Sequence, residues 1–297
     1  MKRSIDIIGI QMDLGASKRG VDMGPGAIRH AGLLSKLKLL GYEACDRGDV
    51  IPLRPEHFGS SRMRNCTEIS EANARLFHMV RESLQNGAMP IVLGGDHCVA
   101  AGSISAVNAE IGPVGVIWID AHSDFHNADS TPSGNMHGMP LSAVCGLGPH
   151  EMVAFAEPFC PIDPKNVALV ATRDMEENEK ARLRASGAHV FTMQDIDRLG
   201  MAEVMRRAIA ITSENTRAVH VSVDIDAVTP ERAPGVGTPV HSGLTVREAF
   251  LAVEMLSESG VVCSMDLVEV NPMLDVCNRT GELACELILS VLGKSLY

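Results

Sequence analysis

The chain has 297 residues, a length that α/β proteins often use for a single core. Hydrophobic residues make up 45% and charged residues 21%, the balance of an ordinary globular protein. The formal net charge of −11 argues against nucleic acid or an anionic membrane as the main partner and is compatible with a cationic substrate.

The chain opens with "MKRSIDIIGIQMD", basic residues followed by an apolar run. Asp6 interrupts the run and no cleavage-type ending follows, so a first strand over Ser4–Ile10 is predicted rather than a signal peptide. Helical spacing comes next over Gly26–Leu40, then a weaker strand near Tyr42–Cys45, then a helix over Glu68–Asn86. A strand at Met89–Leu93 precedes a helix at Val99–Ala109, and a strand at Gly115–Ile119 precedes two long Pro- and Gly-bearing loops, Asn127–Gly138 and Gly146–Pro164. Long loops in a compact α/β protein tend to carry function. Val167–Ala171 (strand), Glu176–Ser186 (helix), His189–Thr192 (strand), Gly200–Ile211 (helix), Ala218–Val223 (strand), Thr245–Ser257 (helix), Val261–Leu267 (strand) and Gly281–Leu292 (helix) complete the series. "PVGVIWID" and "AVHVSVDID" are continuous apolar runs, the pattern of strands buried on both faces. The βαβα rhythm predicts one domain over residues 1–297, a parallel sheet covered by helices on both sides. No stretch approaches the roughly 20 apolar residues of a membrane span. Eight cysteines without CxxC spacing read as reduced thiols in a cytoplasmic protein.

The chemistry gathers where the strands end. Ligands in a parallel sheet collect beyond the carboxyl ends of its strands. Met89–Leu93 runs into "GGDH" with His97, and Gly115–Ile119 into "DAHSDFH" with Asp120, His122, Asp124 and His126. Ala218–Val223 runs into "DIDAVTP" with Asp224 and Asp226, and Val261–Leu267 into "VEVNP" with Glu269. In extended chain alternate side chains share a face, so Asp120, His122 and Asp124 would point one way, as would Asp224 and Asp226. Buried carboxylates need a proton, a cationic partner or a metal, and no Lys or Arg lies inside these motifs. The ligands suffice for two divalent ions. Mixed carboxylate and imidazole suits Mn²⁺, with Fe, Co, Ni or Zn as substitutes. Gly94, Gly95, Gly235 and Gly237 are expected to supply unusual backbone angles beside the site; the "GxxxxGK[ST]" spacing of a phosphate loop is absent.

These residues resemble the ureohydrolase family, the arginases and agmatinases. The resemblance spans "GVDMGPGAIR", "GGDH", "DAHSD", "SGNMHG", "SVDIDAVTPERAPGVGTP" and "MDLVEVNP", almost the whole chain, and "SGNMHG" looks specifically like an arginase of bacterial type. It implies a three-layer α/β/α sandwich around an eight-stranded, mainly parallel sheet. It also implies two Mn²⁺, one on His97, Asp120, Asp124 and Asp224, the other on His122, Asp120, Asp224 and Asp226, with Asp120 and Asp224 bridging. A hydroxide between the ions, oriented by Asp124, would attack the guanidinium carbon of L-arginine and yield urea and L-ornithine. His137 falls where the family places its proton shuttle, and Glu269 where the guanidinium is gripped. Thr238 would support the substrate, and Thr131, Ser133 and Asn135 would receive its α-carboxylate. A homo-oligomer, trimer or hexamer, is implied as well.

The sequence departs from the family pattern at the end of the site that reads an amino acid. His126 stands where arginases usually have Asn against the α-carboxylate. Glu176 replaces the Asp near the α-amino group, Glu179 keeps its acid, and Thr229 replaces an outer Asp. Other guanidino or formimino substrates therefore stay open: agmatine, a guanidino acid, N-hydroxyarginine or formimidoylglutamate. A catalytically silent, metal-stabilised scaffold is the competing class, and a complete ligand set with His137 and Glu269 speaks against it.

Overall fold

The computed structural model describes residues 3–55 and 59–295. Its main sheet has eight strands: β1 (Ile5–Ile10), β2 (Ala44–Val50), β3 (Met89–Leu93), β4 (Val114–Ile119), β5 (Val167–Thr172), β6 (His189–Thr192), β7 (Ala218–Asp224) and β8 (Val262–Val268). Every neighbouring pair is parallel, in the order β2-β1-β3-β8-β7-β4-β5-β6. Period-two alternation deals the strand residues to two apolar layers. Ile117 and Ile119 join one, and Val116 and Trp118 the other. Each such side chain, taken fully out of water, contributes about 1.5–3 kcal/mol.

Helices α1 (Gly24–His30), α2 (Leu33–Leu39), α7 (Met193–Leu199), α8 (Met201–Ser213), α9 (Val246–Ser259) and α10 (Arg279–Val291) cover the first layer. The second lies under α3 (Cys66–Gln85), α4 (Ala100–Glu110), α5 (Pro140–Val144) and α6 (Glu177–Ser186). The predicted three-layer α/β/α sandwich is thus the observed one, and no helix among the described residues is long and apolar enough to cross a membrane.

Several local expectations change. The helix expected over Gly26–Leu40 is two helices, because Gly32 takes the left-handed conformation (φ 87°) between them. The weak strand near Tyr42–Cys45 lies further on, at Ala44–Val50; as an edge strand with exposed positions it carries the polar sequence "ACDRGDV", which hides it from a hydrophobic reading. Helix α7 was not expected, yet Thr192 and Asp195 close a reciprocal capping box at its start. None of the four glycines beside the site has a positive φ, and Gly94, Gly95 and Gly235 serve close approach instead of unusual angles. A Cβ on Gly95 would stand 1.7 Å from the Met12 carbonyl oxygen, one on Gly94 2.5 Å from Val268, and one on Gly235 2.6 Å from Asp275.

The sheet order brings together what the chain separates. β3, β8, β7 and β4 are the four central strands, and they are the four that end in the acidic and histidine motifs.

Candidate metal centre

His97 follows β3 on a short 3-10 turn whose N-cap, Asp96, accepts the Cys98 N–H. Its ring is fully buried and stacks on Trp118, with centroids 3.8 Å apart and planes 8° from parallel. Nε2 lies 2.8 Å from Ser222 Oγ. Nδ1 faces three carboxylate oxygens, Asp120 Oδ2 at 3.1 Å, Asp124 Oδ2 at 3.2 Å and Asp224 Oδ2 at 3.5 Å, yet makes no hydrogen bond to any of them. When Nε2–H donates to Ser222, Nδ1 is a lone pair among three anionic oxygens, an arrangement that a cation satisfies. His97, Asp120 and Asp224 could hold one ion.

A second group stands beside the first. His122 Nδ1 lies 3.4 Å from Asp120 Oδ1 and 3.1 Å from Asp226 Oδ2. Asp120, His122 and Asp226 could hold another ion, and Asp120 offers one oxygen to each group. Asp224 Oδ2 faces His97, and its Oδ1 accepts the Asp226 N–H at 2.8 Å. Both ligand turns fold the same way, each Asp accepting the N–H two residues on, from His122 at 2.7 Å and from Asp226. The chain after Ile119 is therefore not extended, contrary to the period-two reading. Asp124 reaches the first group from a left-handed backbone (φ 49°), and His126 turns away into a different cluster. Ala171 (φ 73°) and Glu269 (φ 65°) are left-handed too. Such non-glycine positions cost about 1–3 kcal/mol each and gather where function holds them.

Glu269 is buried between His97 and His137. Its Oε1 accepts the His97 N–H at 3.0 Å and lies 3.0 Å from His137 Nδ1, while Oε2 is buried without a partner. In the outer wall His126 Nε2 lies 2.8 Å from Glu176 Oε2 and 3.6 Å from Glu179 Oε2, and Nδ1 lies 3.1 Å from Ser130 Oγ. Thr131, Ser133, Asn135, His137, Glu176 and Thr238 line the same cleft as His122, Asp124 and His126. Thr238 also donates to Asp226 Oδ2 at 3.2 Å, so it supports a ligand as well as facing the cleft.

The electrostatics suit a cation. Burial, with the charges of Asp226 and Asp120, holds the Asp224 carboxyl well above its ordinary value. Burial and the Asp120 charge push Asp124 up to about 6. Burial and the Glu269 charge do the same for Asp96, to about 6. Burial opposes protonation of His137, but Glu269, Asp124 and Asp96 outweigh it and push it up to about 9. His97 and His122 are likewise held up by their carboxylates against burial. Without metal the fold binds more protons than the unfolded chain, from about pH 4, where free carboxyls titrate, to about pH 9. Groups with raised folded values stabilise the fold below their unfolded pKa and lose that contribution as pH rises through the folded one. The melting temperature in EDTA should therefore fall between pH 5 and pH 8.5. The gain on adding Mn²⁺ should widen over the same range, because the ion must displace protons that are fewer at high pH. A gain that shrinks with pH in calorimetry would refute this.

Several contributors escaped the sequence reading. Trp118, which stacks on His97, donates its Nε1–H to Asp120 Oδ2 at 2.9 Å, and its signal was being the single Trp of the chain, two residues before an Asp. Ser222 gave none. Asp174 lines the cleft beside Glu176. Arg173 lies outside the four ligand motifs, none of which contains Lys or Arg. It was visible in "RDMEENE", where only the acids were weighed; from the end of β5 its guanidinium reaches past β4 to the Asp226 turn after β7.

Known proteins share both the sequence and the fold. The Arginase family model matches residues 3–293. The arginase of Bacillus caldovelox is 45% identical over 298 residues, covering 99% of each chain. Its native structure at pH 5.6 superposes with a TM-score of 0.96 at 44% identity over 100% of both chains. The arginase of Entamoeba histolytica, solved in complex with L-ornithine, superposes with a TM-score of 0.90 at 29% identity, covering 98% of this chain and 99% of that one. A family match across nearly the whole length, with a relative 45% identical end to end and the same overall fold, has one meaning: the chain belongs to the arginase family of hydrolases.

Proposed function

We propose that this hydrolase cleaves the guanidinium group of L-arginine, with water, to urea and L-ornithine, and that it holds two Mn²⁺ ions. One observation carries the reading: two histidine–carboxylate groups share Asp120 beneath a cleft whose walls suit the two ends of an amino-acid substrate. When bound, a pair of divalent cations supplies a water ionised near neutral pH. His97, Asp120, Asp124 and Asp224 would hold one ion and Asp120, His122 and Asp226 the other. Glu269 presents its unpartnered Oε2 to the guanidinium N–H groups. His137, held toward its protonated form by the Glu269 carboxylate beside it, passes a proton to the departing amine. Asp124, lying between these groups, accepts from the attacking water and so orients it.

The outer wall decides the substrate. Thr131 Oγ1 accepts the Gly134 N–H at 3.0 Å and Ser133 Oγ accepts the Asn135 N–H at 3.2 Å, so both hydroxyl protons are free to donate to a carboxylate. Glu176 and Glu179 offer negative charge to an α-amino group. This favours arginine over agmatine, which lacks the carboxylate. The second reading, another guanidino or formimino compound, draws on His126: both its nitrogens are already engaged, so that position gives a distal carboxylate no free donor. Urea release by the Mn²⁺-loaded protein should be fastest from L-arginine in a panel with agmatine, guanidino acids and N-hydroxyarginine. Equal or faster release from agmatine would remove the carboxylate reading, and formamide from formimidoylglutamate would replace arginine altogether.

A further inference from the structure

Arg173 sits just past β5 and touches both ligand turns at once. Its backbone N–H donates to the Ala121 carbonyl at 2.8 Å, in the middle of the Asp120–His122 turn, and the Asp174 N–H donates to the same oxygen at 3.0 Å. Its side chain reaches the other turn. Nη2 donates to the carbonyls of Asp226 at 2.8 Å and Val240 at 2.7 Å, Nη1 to Ala227 at 3.1 Å, and Nε to His241 at 3.1 Å. No carboxylate pairs with this guanidinium among the described residues. It is held by backbone oxygens on both sides of the 226–241 loop, which also carries Thr238. A direct strut joins the turns, the Ala121 N–H to Asp226 Oδ1, but at 3.3 Å it is long. The left-handed Ala171, at an irregularity in the pairing of β5 with β6, redirects the chain so that Arg173 faces this loop. Gly243 leaves room for it: a Cβ there would stand 2.6 Å from Arg173 Nη2 and 2.6 Å from the Ala227 carbonyl oxygen.

We infer that Arg173 is a positioning residue for the second ion: by clamping the 226–241 loop against the Asp120–His122 turn it fixes the separation of His122 and Asp226. The inference rests on the two-ion reading above. A guanidinium presents a planar fork of five N–H groups, enough to serve four carbonyls spread around its edge; an ammonium presents three donors from a single point. Charge and clamp are therefore separable. Arg173→Lys keeps the charge and loses the fork, whereas Arg173→Met loses both.

The test is calorimetric titration of the full-length protein with Mn²⁺ alone, without substrate, together with elemental analysis after gel filtration. Wild type should bind two ions per chain. Arg173→Lys should keep the first affinity and weaken the second by about 10–100-fold, the usual effect of removing a residue that orients a ligand. Arg173→Met should weaken the second at least as much. Gly243→Ala should weaken the second ion too while leaving Arg173 in the chain, and it carries the test should the arginine variants fail to fold. Circular dichroism identifies the folded variants. Two ions of wild-type affinity in folded Arg173→Lys or in Gly243→Ala would overturn the clamp, as would equal weakening of both ions. A wild type binding fewer than two ions would sink the two-ion reading itself, and the clamp with it.

Discussion

Replacing Asp120 with alanine should remove the stabilising response to Mn²⁺ and lower turnover by about a thousandfold or more. Asp120 is the one side chain that belongs to both histidine–carboxylate groups, one oxygen facing His97 and the other His122. A cation at such a site supplies several kcal/mol of charge stabilisation, and each 1.36 kcal/mol is a tenfold change in rate. The variant also leaves the Trp118 Nε1–H without its acceptor, a buried donor whose loss of partner costs about 1–3 kcal/mol. A lower melting temperature in EDTA is thus expected and does not decide the matter. What decides it is the shift on adding Mn²⁺, which should vanish in Asp120→Ala. Asp224→Ala gives the contrast, because it leaves Asp120, His122 and Asp226 in place and should retain part of the shift. An undiminished Mn²⁺ shift in Asp120→Ala would mean that Asp120 is a ligand of neither ion.

The difference between those variants was not legible in the sequence. The strand ends, the ligand types and the fold class could be read directly, because buried parallel strands show as unbroken apolar runs and acids at their carboxyl ends break the run. What could not be read is set by backbone turns. Asp120 and Asp224 each bond an N–H two residues on, which takes the following residues out of extended geometry. His126 has the same spacing from Asp124 as Asp124 has from His122, yet it leaves the metal groups because Asp124 is left-handed. Arg173 was missed for a related reason. Its partners are carbonyls, and main-chain acceptors leave no mark in residue identity. Edge strand β2 and helix α7 show the same limit from the side of packing, where exposure dilutes the hydrophobic pattern.

Glu269→Gln should keep both ions yet lower kcat/KM by about 30- to 1000-fold, which corresponds to roughly 2–4 kcal/mol, as for a buried charged hydrogen bond that loses its charge. The geometry explains why so conservative a change is costly. Oε1 already accepts the His97 N–H and faces His137 Nδ1, so a glutamine keeps its carbonyl oxygen there and turns its amide NH₂ to the place of Oε2. Donors would then face the donors of the guanidinium, where the carboxylate offered an acceptor. The same change acts on His137. Burial alone would lower its pKa, and Glu269 is the largest influence that raises it to about 9. Without that charge His137 should titrate at lower pH, and the protonated form needed to discharge the leaving amine should be lost earlier as pH rises. The basic limb of the kcat profile should therefore move to lower pH in Glu269→Gln, while Mn²⁺ content by elemental analysis stays at the wild-type value. A basic limb that does not move, with kcat/KM intact, would separate Glu269 from both the guanidinium and the proton. A loss of metal instead would make it a support for His97, through the 3.0 Å bond from the His97 N–H, and nothing more.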